Sequence, residues 1–157
     1  MARKIIVCDQ EKCTGCGICE LACSVMKEKN FNPLTSRIRV VSIEPYIDVA
    51  LACRFCEDAH CVAACPRDAL GRSEETGVII TDEQKCDGCC WCLEACEFGA
   101  ITLHIGKRSA ITCDLCDGNP LCIEFCPRKA LELSTLDALS TKTRMSIVKK
   151  LFQSMSG

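Results

Sequence analysis

Apolar and polar positions divide the chain into short segments. Residues 3–8, Arg3-Lys4-Ile5-Ile6-Val7-Cys8, turn from charged to β-branched and predict a strand. Gly17 to Lys29 predicts a short helix, which Asn30-Phe31-Asn32-Pro33 breaks. Arg37-Ile38-Arg39-Val40-Val41-Ser42-Ile43 alternates charged and apolar side chains, the pattern of a half-exposed strand. Pro45 interrupts it, and Tyr46 to Leu51 predicts the next strand. Glu74-Glu75-Thr76-Gly77 predicts a hairpin turn ahead of the strand Val78-Ile79-Ile80-Thr81. Ala100 to Ile105 and Ser109 to Thr112 predict two more strands about a turn at Gly106, and Leu131-Glu132-Leu133 a last short one. From Thr143 onwards, Met145, Val148, Phe152 and Met155 share a helical stripe with Leu151 beside it, while Lys149 and Lys150 face elsewhere. That pattern predicts an amphipathic helix of about three turns.

Cysteines fill the gaps between these segments, in one motif repeated four times. The first run, Cys13, Cys16, Cys19 and Cys23, has the spacing C-x2-C-x2-C-x3-C, and the third, Cys86, Cys89, Cys92 and Cys96, repeats it. The second, Cys53, Cys56, Cys61 and Cys65, and the fourth, Cys113, Cys116, Cys122 and Cys126, widen the middle interval and end in Cys-Pro. Three runs leave by a similar exit: Pro66-Arg67-Asp68-Ala69-Leu70, Glu97-Phe98-Gly99-Ala100-Ile101 and Pro127-Arg128-Lys129-Ala130-Leu131. The first continues instead through Ser24-Val25-Met26. Repeats of this kind govern the fold, and no linker or clean domain boundary separates them.

Composition agrees with a fold organised by these thiols. The chain has 157 residues and 18 cysteines, but only one Trp, one Tyr and five Phe. Cysteine exceeds the roughly 8–10% at which it becomes the main organiser, and so few aromatics predict a thin core. Inorganic cross-links then replace part of that core, and metal binding becomes inseparable from folding. The apolar run at residues 5–8 is too short for a signal-peptide core, and no stretch approaches the roughly 18 apolar residues of a membrane span. The expected location is the cytoplasm, where thiols stay reduced and dense cysteine reads as metal ligation. Net charge is −2 with every cysteine neutral. Four clusters of about −2 each would take the holoprotein to roughly −10, which disfavours nucleic acid as a partner.

The compact spacing of the first run is the bacterial ferredoxin signature for a [4Fe–4S] centre, whose fourth thiol ligates the other cluster in two-cluster ferredoxins. Sixteen of the eighteen cysteines lie in the runs, the number that four cubane clusters require. Closed zinc sites, the alternative, use two C-x2-C pairs separated by roughly 12–20 residues. Cys8 and Cys90 are spare and read as thiols that are not ligands. His60 reads as an exposed loop residue and His104 as a strand-surface residue, each run already having four thiols. Lys12, Lys85, Arg54, Arg67 and Arg128 adjoin the runs. They are either solvated charges or cations that raise the potential of a nearby cluster. Trp91 is placed to shield a cluster from water.

Taken together, Glu11-Lys12-Cys13-Thr14-Gly15-Cys16, Cys53-Arg54-Phe55-Cys56-Glu57-Asp58 through Cys65-Pro66, Cys86 to Ile101, and Cys113-Asp114-Leu115-Cys116 through Cys126-Pro127 carry a family resemblance. Residues 3 to about 133 resemble the four-cluster, ferredoxin-type electron-transfer subunits of multi-subunit oxidoreductases. Those enzymes include formate dehydrogenases, hydrogenases, carbon monoxide dehydrogenases, dimethyl-sulfoxide-reductase-type enzymes and tungsten aldehyde oxidoreductases. The resemblance implies an α+β fold of two nested ferredoxin-like modules. It pairs run 13–23 with run 113–126, and run 53–65 with run 86–96. Residues 1–133 would form the cluster-bearing domain and 134–157 a docking tail. The resemblance also implies four ligand sets: Cys13, Cys16, Cys19 and Cys126; Cys113, Cys116, Cys122 and Cys23; Cys53, Cys56, Cys61 and Cys96; and Cys86, Cys89, Cys92 and Cys65. Ser24 and Glu97 depart from the family, which often has proline after the fourth thiol.

No phosphate loop, dinucleotide fingerprint or nucleophile–base pair stands apart from the cysteines. The expectation is therefore a non-catalytic electron-transfer subunit. It would pass single electrons through four [4Fe–4S] clusters between a catalytic subunit and an external carrier. A tungsten- or molybdenum-pterin aldehyde or formate oxidoreductase is the first choice of partner, and a carbon monoxide dehydrogenase or hydrogenase the second. A free polyferredoxin shuttle is the alternative outside any complex. Head-to-tail stacking into a longer wire would need clusters near two opposite surfaces.

Overall fold

The computed structural model describes residues 3–44 and 47–155, apart from the side chains of Lys150 and residues 152–155. Pro45, Tyr46 and the side chains of Phe152 and Met155 therefore lie outside what is described. The described chain is α+β and built of short pieces. Strands β1 (Lys4–Cys8) and β8 (Leu131–Thr135) pair antiparallel, Lys4 opposite Thr135 and Cys8 opposite Leu131, so the first and last strands share one sheet. The other three sheets are local hairpins: β2 (Arg39–Ile43) with β3 (Ile47–Leu51), β4 (Leu70–Arg72) with β5 (Ile79–Thr81), and β6 (Thr102–His104) with β7 (Ser109–Ile111). β4 has no strand signal in the sequence; Gly71 and Arg72 are exposed and carry no alternation to mark it.

One helix carries the last two cysteines of the first run, and a single turn sits in each of the others. α1 (Ile18–Glu28) is eleven residues long; it starts after Gly17 and stops at Lys29, both left-handed. It turns Cys19 and Cys23 inward, one turn apart on one face. α2 (His60–Ala63), α3 (Trp91–Glu94) and α4 (Leu121–Glu124) are four residues each, too short to persist in water without packing. α1 packs on α4, and α2 on α3.

The core is thin. Its largest fully buried side chains are Phe55, Ile5, Ile38 and Ile79, joined by buried thiols at Cys19, Cys23, Cys53, Cys92, Cys113 and Cys122. The accessible surface is 10057 Å², against about 7800 Å² for an ordinary monomer of this mass.

The C-terminal helix differs from its prediction. α5 spans Leu136–Met155, twenty residues, and continues directly from β8. The Thr135 hydroxyl accepts the Ala138 N–H at 3.2 Å and caps the start. Five polar residues, Ser140 to Arg144, separate Leu136 and Leu139 from the apolar stripe, which begins only at Met145. Leu139 packs on the core, and Lys142 pairs with Glu132 at 2.7 Å. Beyond that point Met145, Ile147, Val148 and Leu151 are all exposed.

Candidate metal centres

The first C-x2-C turn of every run shares one backbone feature. The residue before the second cysteine is left-handed in each: Gly15, Phe55, Gly88 and Leu115, with φ of 66°, 49°, 73° and 60°. Two glycines announce this turn in the sequence. Phe55 and Leu115 do not, because a bulky residue rarely adopts that conformation unless its surroundings impose it. Phe55 is buried to 1% exposure, so packing holds it there.

The turns bring thiols from different runs together. Cys13, Cys16 and Cys19 line one hollow with Cys126, and Cys86, Cys89 and Cys92 line another with Cys65. Each of these two hollows spans about 330 Å³ of empty space, open solvent at its mouth included. Cys53, Cys56 and Cys61 line a third with Cys96, about 1260 Å³ including its open mouth. Cys23 lies close enough to Cys113, Cys116 and Cys122 to disfavour ionisation of all three. The same electrostatic contact links Cys122 to Cys19 and Cys113 to Cys53, which sets this group between the first and third. α1 carries Cys19 and Cys23, and α2 with its C-terminal turn carries Cys61 and Cys65. Each of these helices therefore serves two groups.

The exits have a specific task. Asp68, Gly99 and Lys129 are left-handed, with φ of 48°, 59° and 48°. That conformation turns the next N–H back onto the last thiol of the run. Ala69, Ala100 and Ala130 donate to Cys65, Cys96 and Cys126 Sγ at 3.3, 3.4 and 3.3 Å. Glu97 in place of proline leaves this geometry unchanged. The first run lacks the exit, and Cys23 Sγ instead accepts the Arg37 N–H at 3.3 Å. Ala110 donates to Cys86 at 3.4 Å and Phe55 to Cys53 at 3.5 Å. Such bonds stabilise a thiolate and tune cluster potential.

Burial acts the other way. It pushes Cys53 and Cys92 up to about 11 and Cys19 and Cys113 up to about 12, and it raises Cys122 as well. Thiols raised this far are protonated at neutral pH, so iron binding is coupled to proton release. Cys65 is lowered: burial opposes the shift, but the N–H groups of Ala69, Arg67 and Leu70 outweigh it. Among the described residues, no three Cys, His, Asp or Glu side chains converge as a lone metal ion requires. The thiols stand apart around their hollows.

The sequence-adjacent cations are mostly at the surface. Lys12, Lys85 and Arg67 are each more than half exposed and pair with Asp9, Asp82 and Asp87. Arg54 stacks over Phe98, 5.8 Å from the ring centre. Sequence reasoning missed the cations beside the second group. Lys27 and Arg37 are 14% and 19% exposed, and Asp114 binds them at 2.6 and 3.2 Å. Lys27 also lowers Cys116, against the burial that raises it. Lys27 follows Cys23 by one helical turn, a signal available in the sequence. Arg37 carries none.

His60 begins α2, exposed, 3.4 Å from Glu97. His104 is buried, not on a strand surface: its Nδ1 accepts the Lys107 N–H at 3.1 Å, and its Nε2 lies 3.6 Å from Glu28 of α1. Trp91 is 62% exposed and so flanks its thiols without covering them. Cys8 lies on β1 and accepts the Ala50 N–H at 3.3 Å; burial, with lesser contributions from Cys13 and Cys126, raises its thiol to about 11. Cys90 takes the left-handed position that Gly17 holds in the first run, with φ of 69°, and its Sγ donates to the Gly88 carbonyl at 3.3 Å.

Sixteen thiols in four groups, with backbone N–H donors aimed at the sulfurs, suit iron–sulfur clusters and define an iron–sulfur protein. Residues 46–136 match the family model for a 4Fe-4S dicluster domain, which takes in the last three runs. The polyferredoxin-like subunit of aliphatic sulfonate oxidoreductase from Pyrococcus furiosus is 43% identical over 121 residues, 77% of this chain and 70% of that one. The B subunit of anaerobic dimethyl sulfoxide reductase from Escherichia coli is 32% identical over 158 residues, 85% of this chain and 74% of that one. Among solved structures, one component of the active site complex BamBC of benzoyl coenzyme A reductase superposes with a TM-score of 0.51. It is 26% identical, over 85% of this chain and 78% of that one. The chain belongs to the 4Fe-4S dicluster domain family. It is a [4Fe–4S] electron-transfer subunit of the oxidoreductase type and not itself catalytic. Among the described residues, no helix is long and apolar enough to cross a membrane.

Proposed function

We propose that the chain is a four-cluster wire folded as two nested ferredoxin-like modules within residues 1–133. Its ligand sets are Cys13, Cys16, Cys19 and Cys126; Cys113, Cys116, Cys122 and Cys23; Cys53, Cys56, Cys61 and Cys96; and Cys86, Cys89, Cys92 and Cys65. One observation carries this reading: the last thiol of the fourth run lines the hollow of the first, and the last thiols of the second and third runs exchange hollows. The packing of α1 on α4 and of α2 on α3 supports the same pairing. Each cluster, when bound, takes up and releases one electron. The residues of the chain set the order of the sites, keep water from the inner ones and hold their charge.

The two ends of the wire follow from exposure. Among the eighteen thiols only Cys16 and Cys89 are exposed, and they belong to the first and fourth sets. Electrons enter and leave at these two ends. One end meets the catalytic subunit and the other an external carrier. A tungsten- or molybdenum-pterin aldehyde or formate oxidoreductase is the first choice of partner, and a carbon monoxide dehydrogenase or hydrogenase the second. Residues 134–157 dock on the partner, which the exposed apolar residues of α5 favour over a free shuttle. Copies stacked head to tail would join one exposed end to the other. The working compartment is the cytoplasm. Anaerobic purification from the native host tests the reading: a catalytic subunit should co-purify, and elution alone as an active carrier would contradict it.

A further inference from the structure

The third hollow differs from the other two in its lining as well as its size. Arg3 lines it together with Cys53, Cys56, Cys61 and Cys96. Nε and Nη1 of Arg3 are both buried and hydrogen-bond to nothing. Glu57, Asp58 and Glu97 line the same hollow, yet none of them satisfies these two nitrogens. Buried guanidinium nitrogens without an acceptor are costly, and such atoms are ordinarily paired. Arg54, the other arginine in this lining, stacks on Phe98.

The place of Arg3 is fixed by the fold. It immediately precedes β1, whose Lys4 pairs with Thr135 at the start of α5. The N-terminal strand thus carries a cation to a site built from the second and third runs, about fifty residues further on in sequence at its nearest. Lys12, Lys85 and Arg67, which adjoin cysteines in sequence, point to solvent and pair with carboxylates. Arg3 adjoins none; it is half-buried, and its buried Nε and Nη1 have no hydrogen-bond partner.

We propose that Arg3 is the counter-charge of the third site. Its guanidinium balances the negative charge of the [4Fe–4S] group held by Cys53, Cys56, Cys61 and Cys96, and it keeps that site easier to reduce than its thiolates alone would make it. The inference rests on the ligand set proposed above. The gain is electrostatic: reduction adds one electron to the site and no proton, and a fixed cation beside it favours the more negative state. Arg3 therefore acts as a positioning residue, setting where along the wire an electron rests.

The test is an anaerobic redox titration of the full-length holoprotein, followed by electron paramagnetic resonance, with iron counted in every sample. Cys61→Ser identifies the wave that belongs to the third site. Arg3→Gln should keep the full iron complement and move that wave alone to lower potential, by at least tenfold in the redox equilibrium, about 59 mV. Arg3→Lys, which keeps the charge, should move it by less than half as much. The proposal is overturned if Arg3→Gln leaves the wave in place, if Gln and Lys shift it equally, or if all four waves move together. Should Arg3→Gln shed iron, Arg3→Lys decides. Full iron and a retained wave support the charge role, whereas iron loss in both variants assigns Arg3 to packing and overturns it. If Cys61→Ser disturbs no wave in a protein carrying all its iron, the ligand set itself is wrong.

Discussion

At the scale of single residues, the left-handed positions decide which substitutions the sites tolerate. Gly88 has a φ of +73°, and a Cβ there would lie 2.5 Å from the backbone carbonyl oxygen of Arg108. Gly99 has a φ of +59° with open space around it. Gly88→Ala should therefore cost well over the roughly 1–2 kcal/mol of the left-handed conformation alone, and Gly99→Ala no more than that. The half-life of the visible cluster absorbance in denaturant should rank the two variants in that order. Cys90 stands at the position of Gly17, so Cys90→Gly should relieve about 1 kcal/mol of backbone strain and leave the iron content unchanged. Loss of four irons would make Cys90 a ligand. The runs, their repetition and the glycines at 15 and 88 were all legible in the sequence. Phe55 and Leu115 in the same conformation were not, because tertiary packing imposes it against their local preference. Nor was the burial of His104, which depends on Glu28, seventy-six residues earlier in the chain.

At the scale of elements, the one-turn helices and exits work as units. Each exit has as its fourth residue an alanine whose N–H caps a thiol, and that fixed interval makes the exit recognisable in the sequence. Ala130→Pro deletes the donor to Cys126. Hydrogen bonds to charged acceptors are worth about 1.5–3 kcal/mol. The potential of the first site should therefore fall by about 60 mV or more, as read by redox titration, while Ala130→Gly leaves it nearly in place. The tail helix divides in two. Leu139 and Lys142 tie its first turns to the core and to Glu132, and the turns from Met145 onward are exposed. Removing residues 143–157 should leave iron content and thermal stability of the isolated chain almost unchanged but abolish co-purification of the catalytic subunit. Equal loss of both would make the tail part of the core. Its start at Leu136 escaped the sequence because the polar run Ser140 to Arg144 interrupts the apolar stripe, and the cap is a lone threonine.

At the scale of the whole molecule, inorganic cross-links take the place of much of an apolar core. The pairing of β1 with β8 already brings the two ends of the cluster-bearing region into one sheet. The proposed first site clasps them again, through Cys126. Cys126→Ala should therefore destabilise the loop at Cys13 to Cys19, more than a hundred residues away in sequence, and limited proteolysis should cut there first. Cys8→Ala should not open it. Spacing alone left this crossing undecided, since any run could have closed on itself; the family resemblance implied it. If one chain holds four cubane clusters, the anaerobically purified protein contains about sixteen irons and about sixteen acid-labile sulfides per chain. Iron and sulfide analysis should return those values; about eight of each, or zinc without sulfide, would mean that it does not.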